Sequence, residues 1–403
     1  MIHHPPAGAR DLLPLEVVQK AWINDRLQEV FQRWGYQRIV TSTLESLDTL
    51  VAGGAIDPTT VIQLQSPTEG PLGLRPELTA SIARATVTRI TETHHPQRLC
   101  YRANIFRQPP QGYHGRQMEF FQAGVELLYI GGVRADAEIL LLLAHSLENL
   151  GLTDWQLILG DAGLTRTLLE RLPKDLQPLV KDCIAHLDYV RLQSLDYPSA
   201  TLKDWALQLF DLRGEPSVIL DKLEALELVD SSAARVKNLR ELVDLIQAEP
   251  PQCGNLILDL SWLQPFDYYT GIVFQAVSQG QVLGQGGRYD QLLSLYHPQH
   301  LPLAGVGFSL NLEELHHCLL PSTQLPQTPP FNDCLVIPAT AQAEKAALHY
   351  ARLLRQKEPQ LRVELALENA TAALWQTYGQ ERHIRQLLWV QEDGTVISET
   401  LDP

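Results

Sequence analysis

Residues 101 to 126, YRANIFRQPPQGYHGRQMEFFQAGVE, limit what this chain can become more than any other stretch. Two apolar, strand-like runs, Tyr101–Arg107 and Met118–Val125, flank a loop holding Pro109, Pro110 and Gly112. The pattern predicts an antiparallel hairpin with an extended tip. Arg107 closes the first strand. Gln122 and Glu126 lie on the second, four residues apart, and so share one face of a strand. A guanidinium holds a carboxylate or phosphate through two parallel hydrogen bonds, and a carboxylate holds an ammonium. Such a hairpin has the groups to receive an amino acid by both of its charged ends. Ordinary surface charges explain the same residues, and composition alone favours that plainer reading.

The chain has 403 residues, enough for two or three domains, and its 45% apolar content is that of a globular protein. Its formal net charge of −15 argues against a protein built to grip nucleic acid, which needs a basic surface. The five cysteines (Cys100, Cys183, Cys253, Cys318, Cys334) are widely spaced with no CxxC, against both a zinc site and a disulfide framework. Free thiols in a reducing cytoplasm are expected. The N-terminus lacks the apolar core of a signal peptide, and no run is long enough to span a bilayer. The adjacent pairs His3-His4, His94-His95 and His316-His317 diverge and do not make a metal site. No metal or cofactor is expected.

Residues 1–14 read as an extended arm. Ile23, Leu27, Val30, Phe31 and Trp34 recur at helical spacing up to Gly35, and Tyr36–Val40 reads as a strand. A helix is expected to open at Arg75-Pro76-Glu77, where Glu77 suits the helix dipole. Arg134–Leu150 reads as an apolar helix and Trp155–Gly160 as a strand. Short Leu-rich helices fill 161–250, an inserted helical region. Asn255–Leu260, Ile272–Val277 and Leu303–Leu310 return to strand character. Gly284, Gly286 and Gly287 in GQGG lack phosphate-loop spacing and read as a tight turn before a helix near Arg288. A proline-rich linker, 319–331, leads to a small α/β unit at 332–403. The expected organisation is therefore a core of 1–160 and 251–318, the insertion, the linker and the small unit.

Four stretches in order resemble the histidyl class of class II aminoacyl-tRNA synthetases. The hairpin resembles motif 2, and LRPELTASIARA (Leu74–Ala85) the histidyl LRPE-T segment. FDYYTGIVF (Phe266–Phe274) resembles the second histidine signature, and GQGGRYDQL with AGVGFSLNLEEL (Gly284–Leu292, Ala304–Leu315) the run into motif 3. The resemblance implies an α+β fold: an antiparallel sheet flanked by helices, with a helical insertion and a shortened anticodon-type α/β domain. It implies that the helix and strand ending at Val40 build a homodimer interface. It also implies a histidine pocket of Glu77, Thr79, Arg107, Gln122, Glu126, Tyr268 and Tyr269, with the carboxylates on the amino group and the tyrosines framing the imidazole. The competing reading of Glu77 is a helix-terminal charge, and that of the tyrosine pair a core strand.

The nucleotide side departs from the family. An arginine before the DYYTG-like segment is replaced by Gln264, and the motif 3 arginine by Glu314. The motif 3 glycine is Asn311, and the motif 2 Arg-x-Glu has become Arg107-Gln108-Pro109. Activation chemistry is positioning and charge neutralisation, and losing one such donor costs on the order of 10²–10³ in rate. The chain thus resembles the regulatory subunits of ATP phosphoribosyltransferase. That implies no synthetase activity, a partnership with a short catalytic subunit in the first step of histidine biosynthesis, and histidine as effector. The C-terminal unit, with seven basic and ten acidic residues, lacks the basic surface of an anticodon reader. Neither tRNA nor a membrane is expected as a partner. A working histidyl-tRNA synthetase and a synthetase-like scaffold are the two other readings.

Overall fold

The computed structural model describes residues 5–54, 56–90, 95–108, 117–226, 228–248, 255–261 and 268–401. The chain divides into two compact units between Leu325 and Pro326.

The first unit is built on a nine-stranded sheet. Its strands are β1 (Gln37–Arg38), β2 (Gln97–Phe106), β3 (Glu119–Leu128), β4 (Gln156–Asp161), β5 (Arg213–Gly214), β6 (Asn255–Asp259), β7 (Ile272–Ser278), β8 (Gln281–Arg288) and β9 (Gly305–Asn311). They lie in the order β1-β2-β3-β9-β8-β7-β4-β6-β5. The pairings are antiparallel except β1 with β2 and β4 with β6, which run parallel. Crossovers through helices account for both parallel pairs, because only a tight hairpin enforces antiparallel pairing. The expected hairpin is β2–β3, pairing from Gln97 with Leu128 to Phe106 with Glu119. The tip residues Pro109, Pro110 and Gly112 lie outside the described residues.

Six helices matter to the argument: α1 (Pro14–Arg33), α2 (Thr79–Arg89), α3 (Val133–Asn149), α4 (Ala162–Glu170), α5 (Asp230–Ala248) and α6 (Leu312–Leu319). Pro14 opens α1 at a position where its missing N–H is harmless. Gly35, at φ +82°, ends it, and Tyr36 N–H reaches back to Phe31 O at 2.9 Å. Ile23, Leu27, Val30 and Phe31 are all at most 1% exposed, against the sheet and α3. The strand expected over Tyr36–Val40 shrinks to Gln37–Arg38. Residues 161–250 are mainly helical, add β5 to the sheet edge, and share the core of α1 and α3.

Two expectations are corrected. The helix expected from Arg75 starts at Thr79, because the Arg75 backbone is paired elsewhere, its N–H to Thr43 O (3.1 Å) and its C=O with Phe106 N–H (3.0 Å), while its guanidinium holds the carbonyls of Asn104 (3.0 Å), Thr41 (2.9 Å) and Ser42 (3.1 Å). GQGG is no turn but the body of β8, and the next helix begins only at Leu292. Glycine in a strand marks close approach of other groups. A Cβ on Gly286 would stand 2.2 Å from Gly307 O and 2.7 Å from Phe274 Cζ.

In the second unit a four-stranded sheet runs in the order Val363–Leu365, Cys334–Pro338, Gln386–Val390, Val396–Thr400. The first three strands are parallel and the last closes a hairpin, with Gly394 at φ +84° in its turn. Helices Glu344–Lys357 and Ala372–Glu381 complete it. Among the described residues no helix is long and apolar enough to cross a membrane.

Overpacking a tight core typically costs about 1–3 kcal/mol, and the Gly286 contact is with rigid backbone. Gly286→Ala should therefore lower the thermal unfolding midpoint clearly, whereas alanine at Gly280, whose Cβ would meet nothing within 4 Å, should cost only the strain of its φ of +76°. Calorimetric scans of both variants check the ranking; equal midpoints would refute the close-approach account.

Candidate ligand site

Side chains alternate along β3. Ala123, Val125 and Leu127 enter the core under α1 and α3, while Gln122, Gly124 and Glu126 face the opposite side. On that opposite face lies a cavity of ≈ 390 Å³. Its floor is the backbone of β8 and β9 at Gly286 and Gly307. Gly307 has no space for a side chain, since its Cβ would lie 2.0 Å from Glu126 Oε2.

Part of the cavity wall is charged. Glu77 accepts hydrogen bonds from the backbone N–H of Thr79 (2.7 Å) and Ala80 (2.8 Å), capping α2 while also lining the cavity. The helix-terminal reading and the ligand-wall reading of Glu77 thus coexist in one side chain. Burial raises the pKa of Glu77; the two backbone N–H groups and the nearby Arg107 oppose the rise. Arg107 donates from Nε to Pro76 O at 2.8 Å. Burial lowers its pKa, and the Glu77 charge pulls the other way. A carboxylate and a guanidinium therefore stand together on one wall.

Aromatic groups stand close to these charges. Tyr268 and Tyr269 lie with ring centroids 4.6 Å apart, their hydroxyls hydrogen-bonded, and Tyr268 meets Tyr289 edge-on at 6.1 Å. Burial raises the pKa of all three phenols, so they are neutral donors. Gly287 makes the space for Tyr269, because a Cβ there would stand 2.7 Å from the ring.

Six of the seven expected residues line this cavity: Glu77, Thr79, Arg107, Gln122, Tyr268 and Tyr269. Glu126 does not. It is 1% exposed and lies behind the wall, accepting from Thr79 Oγ1 at 2.8 Å and from the Tyr289 hydroxyl. Desolvation pushes its pKa up to about 8, against the pull of those two hydroxyls. The residue that sequence reasoning missed is Tyr289. Its signal was its place immediately after the glycine strand, two residues from Gly287 and hence on the same face. The lining residues Asp57, Gln108, Gln117, Gln285 and Ser309 carried no such signal.

Of the positions where nucleotide contacts were expected to be lost, Pro109 and Gln264 lie outside the described residues. Glu314 sits in the first turn of α6 and is not among the residues lining the cavity. Its neighbours have structural tasks. Asn311 caps α6 by accepting from Glu313 N–H at 3.1 Å, and the Glu313 carboxylate holds Arg10 at 2.7 Å and the nearly buried Lys20.

Residues 8–315 match the family model described as histidyl-tRNA synthetase. A protein of Gloeothece citriformis named ATP phosphoribosyltransferase regulatory subunit is 60% identical over all of both chains. A Synechocystis protein of the same name is 62% identical over 98% of this chain and 100% of its own. Among solved structures, a Bacillus halodurans ATP phosphoribosyltransferase regulatory subunit/histidyl-tRNA synthetase superposes with a TM-score of 0.82 at 24% identity, covering 97% of this chain and 99% of that one. Histidyl-tRNA synthetase from a Nostoc species gives a TM-score of 0.75 at 17% identity, covering 99% and 97%. These two establish the class II synthetase-like fold.

The raised pKa of Glu126 has a testable sign. The folded chain binds this proton more tightly than the unfolded one, whose carboxyl titrates near the ordinary 4.5. The resulting stabilisation is fully present below that value and is lost as pH rises through about 8. Glu126→Gln removes the titration. Going from about pH 5 to about pH 9, the parent should therefore lose stability relative to the variant. Thermal melts of both proteins across that range provide the check, and a pH-independent difference would refute it.

Proposed function

The chain belongs to the family of ATP phosphoribosyltransferase regulatory subunits, and from that premise we propose that its cavity is a histidine sensor read by a catalytic partner. The chain is a regulatory subunit and not a working synthetase. The observation that carries the histidine reading is the pairing of Glu77 and Arg107 beside aromatic, hydroxyl-bearing side chains in one ≈ 390 Å³ cavity. Such a volume suits a small ligand held by a few convergent polar groups.

In this reading Glu77 accepts from the α-ammonium and Arg107 holds the α-carboxylate. Both are charge-assisted contacts, and each relieves a partly buried charge. Tyr268, Tyr269 and Gln122 enclose the imidazole with neutral donors and aromatic faces. Glu126 acts through Thr79 and Tyr289, fixing the direction of both hydroxyls. A negative Glu314 in place of the family's arginine disfavours triphosphate, so histidine is bound without being activated.

The partner is a short-form catalytic subunit of ATP phosphoribosyltransferase. The assembly, a homodimer of this chain within a hetero-oligomer, carries out the first step of histidine biosynthesis in the cytoplasm. Histidine inhibits by favouring one state of the assembly, with a coupling of typically ~1–3 kcal/mol. Transfer RNA is not a ligand, in keeping with the net charge of −15.

Calorimetry with L-histidine on the purified chain should give one-site binding, weakened about tenfold or more by Glu77→Gln, a change that removes a charge-assisted contact. Co-expression with the short catalytic subunit should yield a complex whose activity falls on adding histidine. Glu126→Ala should blunt that inhibition and leave assembly intact. Inhibition of the Glu126→Ala complex as strong as that of the parent would exclude this pocket as the regulatory site. Histidine-dependent ATP–pyrophosphate exchange by the isolated chain should be undetectable; a measurable rate would restore the synthetase reading.

A further inference from the structure

The backbone bearing the tyrosine pair is held from outside its own strand. Arg166, on α4, donates from Nη2 to Tyr269 O at 3.4 Å. Arg235, on α5, donates from Nη1 to Thr270 O at 3.2 Å. Two consecutive carbonyls are thus gripped by two arginines, both from the helical region 161–250. From the sheet side, Thr270 N–H donates to Arg288 O at 2.7 Å, and Ala162 N–H donates to Gly271 O at 2.8 Å.

Two effects oppose each other where Arg235 sits. Its guanidinium lies against the first turn of α4, where the helix dipole repels a cation. Asp161, which caps α4 and is only 7% exposed, offsets this as the counter-charge to Arg235 at 3.4 Å. Gly163 leaves room for both partners: a Cβ there would stand 2.5 Å from Arg235 Nη1, 2.6 Å from its Cζ and 2.8 Å from Thr270 O. The arrangement ties two groups to one guanidinium, the Asp161 carboxylate and the carbonyl next to Tyr269.

We propose that α5 positions the tyrosine pair through Arg235, with Arg166 as a second hold, so that occupancy of the cavity and the packing of α5 are coupled. Arg235 is a positioning residue and touches no ligand. Coupling to histidine rests on the reading of the cavity given above; the positioning itself does not. Through this contact the helical region senses whether the tyrosine wall is ordered by a ligand, and the wall is ordered only while α5 is docked.

The experiment is amide hydrogen exchange on the full chain, with and without L-histidine, alongside histidine calorimetry. The proteins are the parent, Arg235→Gln, Arg235→Lys and Gly163→Ala. Without ligand, Arg235→Gln should speed exchange at Thr270 and Ala162 by about tenfold while leaving the middle of β7 unchanged. Gly163→Ala should also loosen Thr270, partly because its Cβ would press on Thr270 O at 2.8 Å, and Arg235→Lys should fall between the parent and Arg235→Gln. Histidine should slow exchange along α5 in the parent but not in Arg235→Gln, whose histidine affinity should fall about tenfold, the worth of one charged hydrogen bond. Parent-like exchange at Thr270 in Arg235→Gln would overturn the proposal, whatever Gly163→Ala shows. So would histidine-induced slowing of α5 that persists in Arg235→Gln, as it would if Arg235 were merely structural. Loosening of Thr270 in a parent–variant pair that gives no heat with histidine would uphold the positioning and reject the histidine reading.

Discussion

The carboxylate of Glu126, 1% exposed, is the constraint on which the ligand face of the sheet depends. Burying such a group costs several kcal/mol unless its lone pairs are satisfied. Here Thr79 and Tyr289 supply two hydroxyl donors from opposite sides, and Gly307 leaves the space beneath. The start of α2, the end of β8 and the middle of β9 are thereby tied to one point on β3. Both donors also line the cavity, so the order of its walls and the state of this carboxylate are one problem.

The same fold separates recognition from reaction. The groups proposed for recognition stand on the sheet's open face, where Glu77, Arg107 and the tyrosines line one cavity. The start of α6, which the resemblance assigns to nucleotide chemistry, has been turned to structure instead. Asn311 is a helix cap, and Glu313 joins the N-terminal arm to α1 through Arg10 and Lys20.

Much of this was legible in the sequence because it rests on local periodicity. The end of α1 at Gly35, the β2–β3 hairpin and the shared face of Gln122 and Glu126 follow from spacing and turn chemistry alone. Errors arose where distant partners decide. Arg75 looked like the opening of a helix, but its backbone pairs with Thr43 and Phe106, both distant in the chain. GQGG looked like a turn, since glycine reports a missing side chain without saying whether a bend or a neighbouring strand requires it. Glu126 looked like a ligand contact, because nothing in its own stretch reveals that Tyr289 covers it. The two parallel strand pairs were invisible for the same reason.

The glycine floor has a consequence for small-molecule selectivity. Main-chain atoms at Gly286 and Gly307 present the same surface in any chain that folds this way, whatever its side chains. A compound that gains its affinity from that floor would therefore occupy a true synthetase and this regulatory subunit alike. Discrimination between the two must come from side chains such as Asp57, Gln117, Gln285 and Ser309, which line the same cavity.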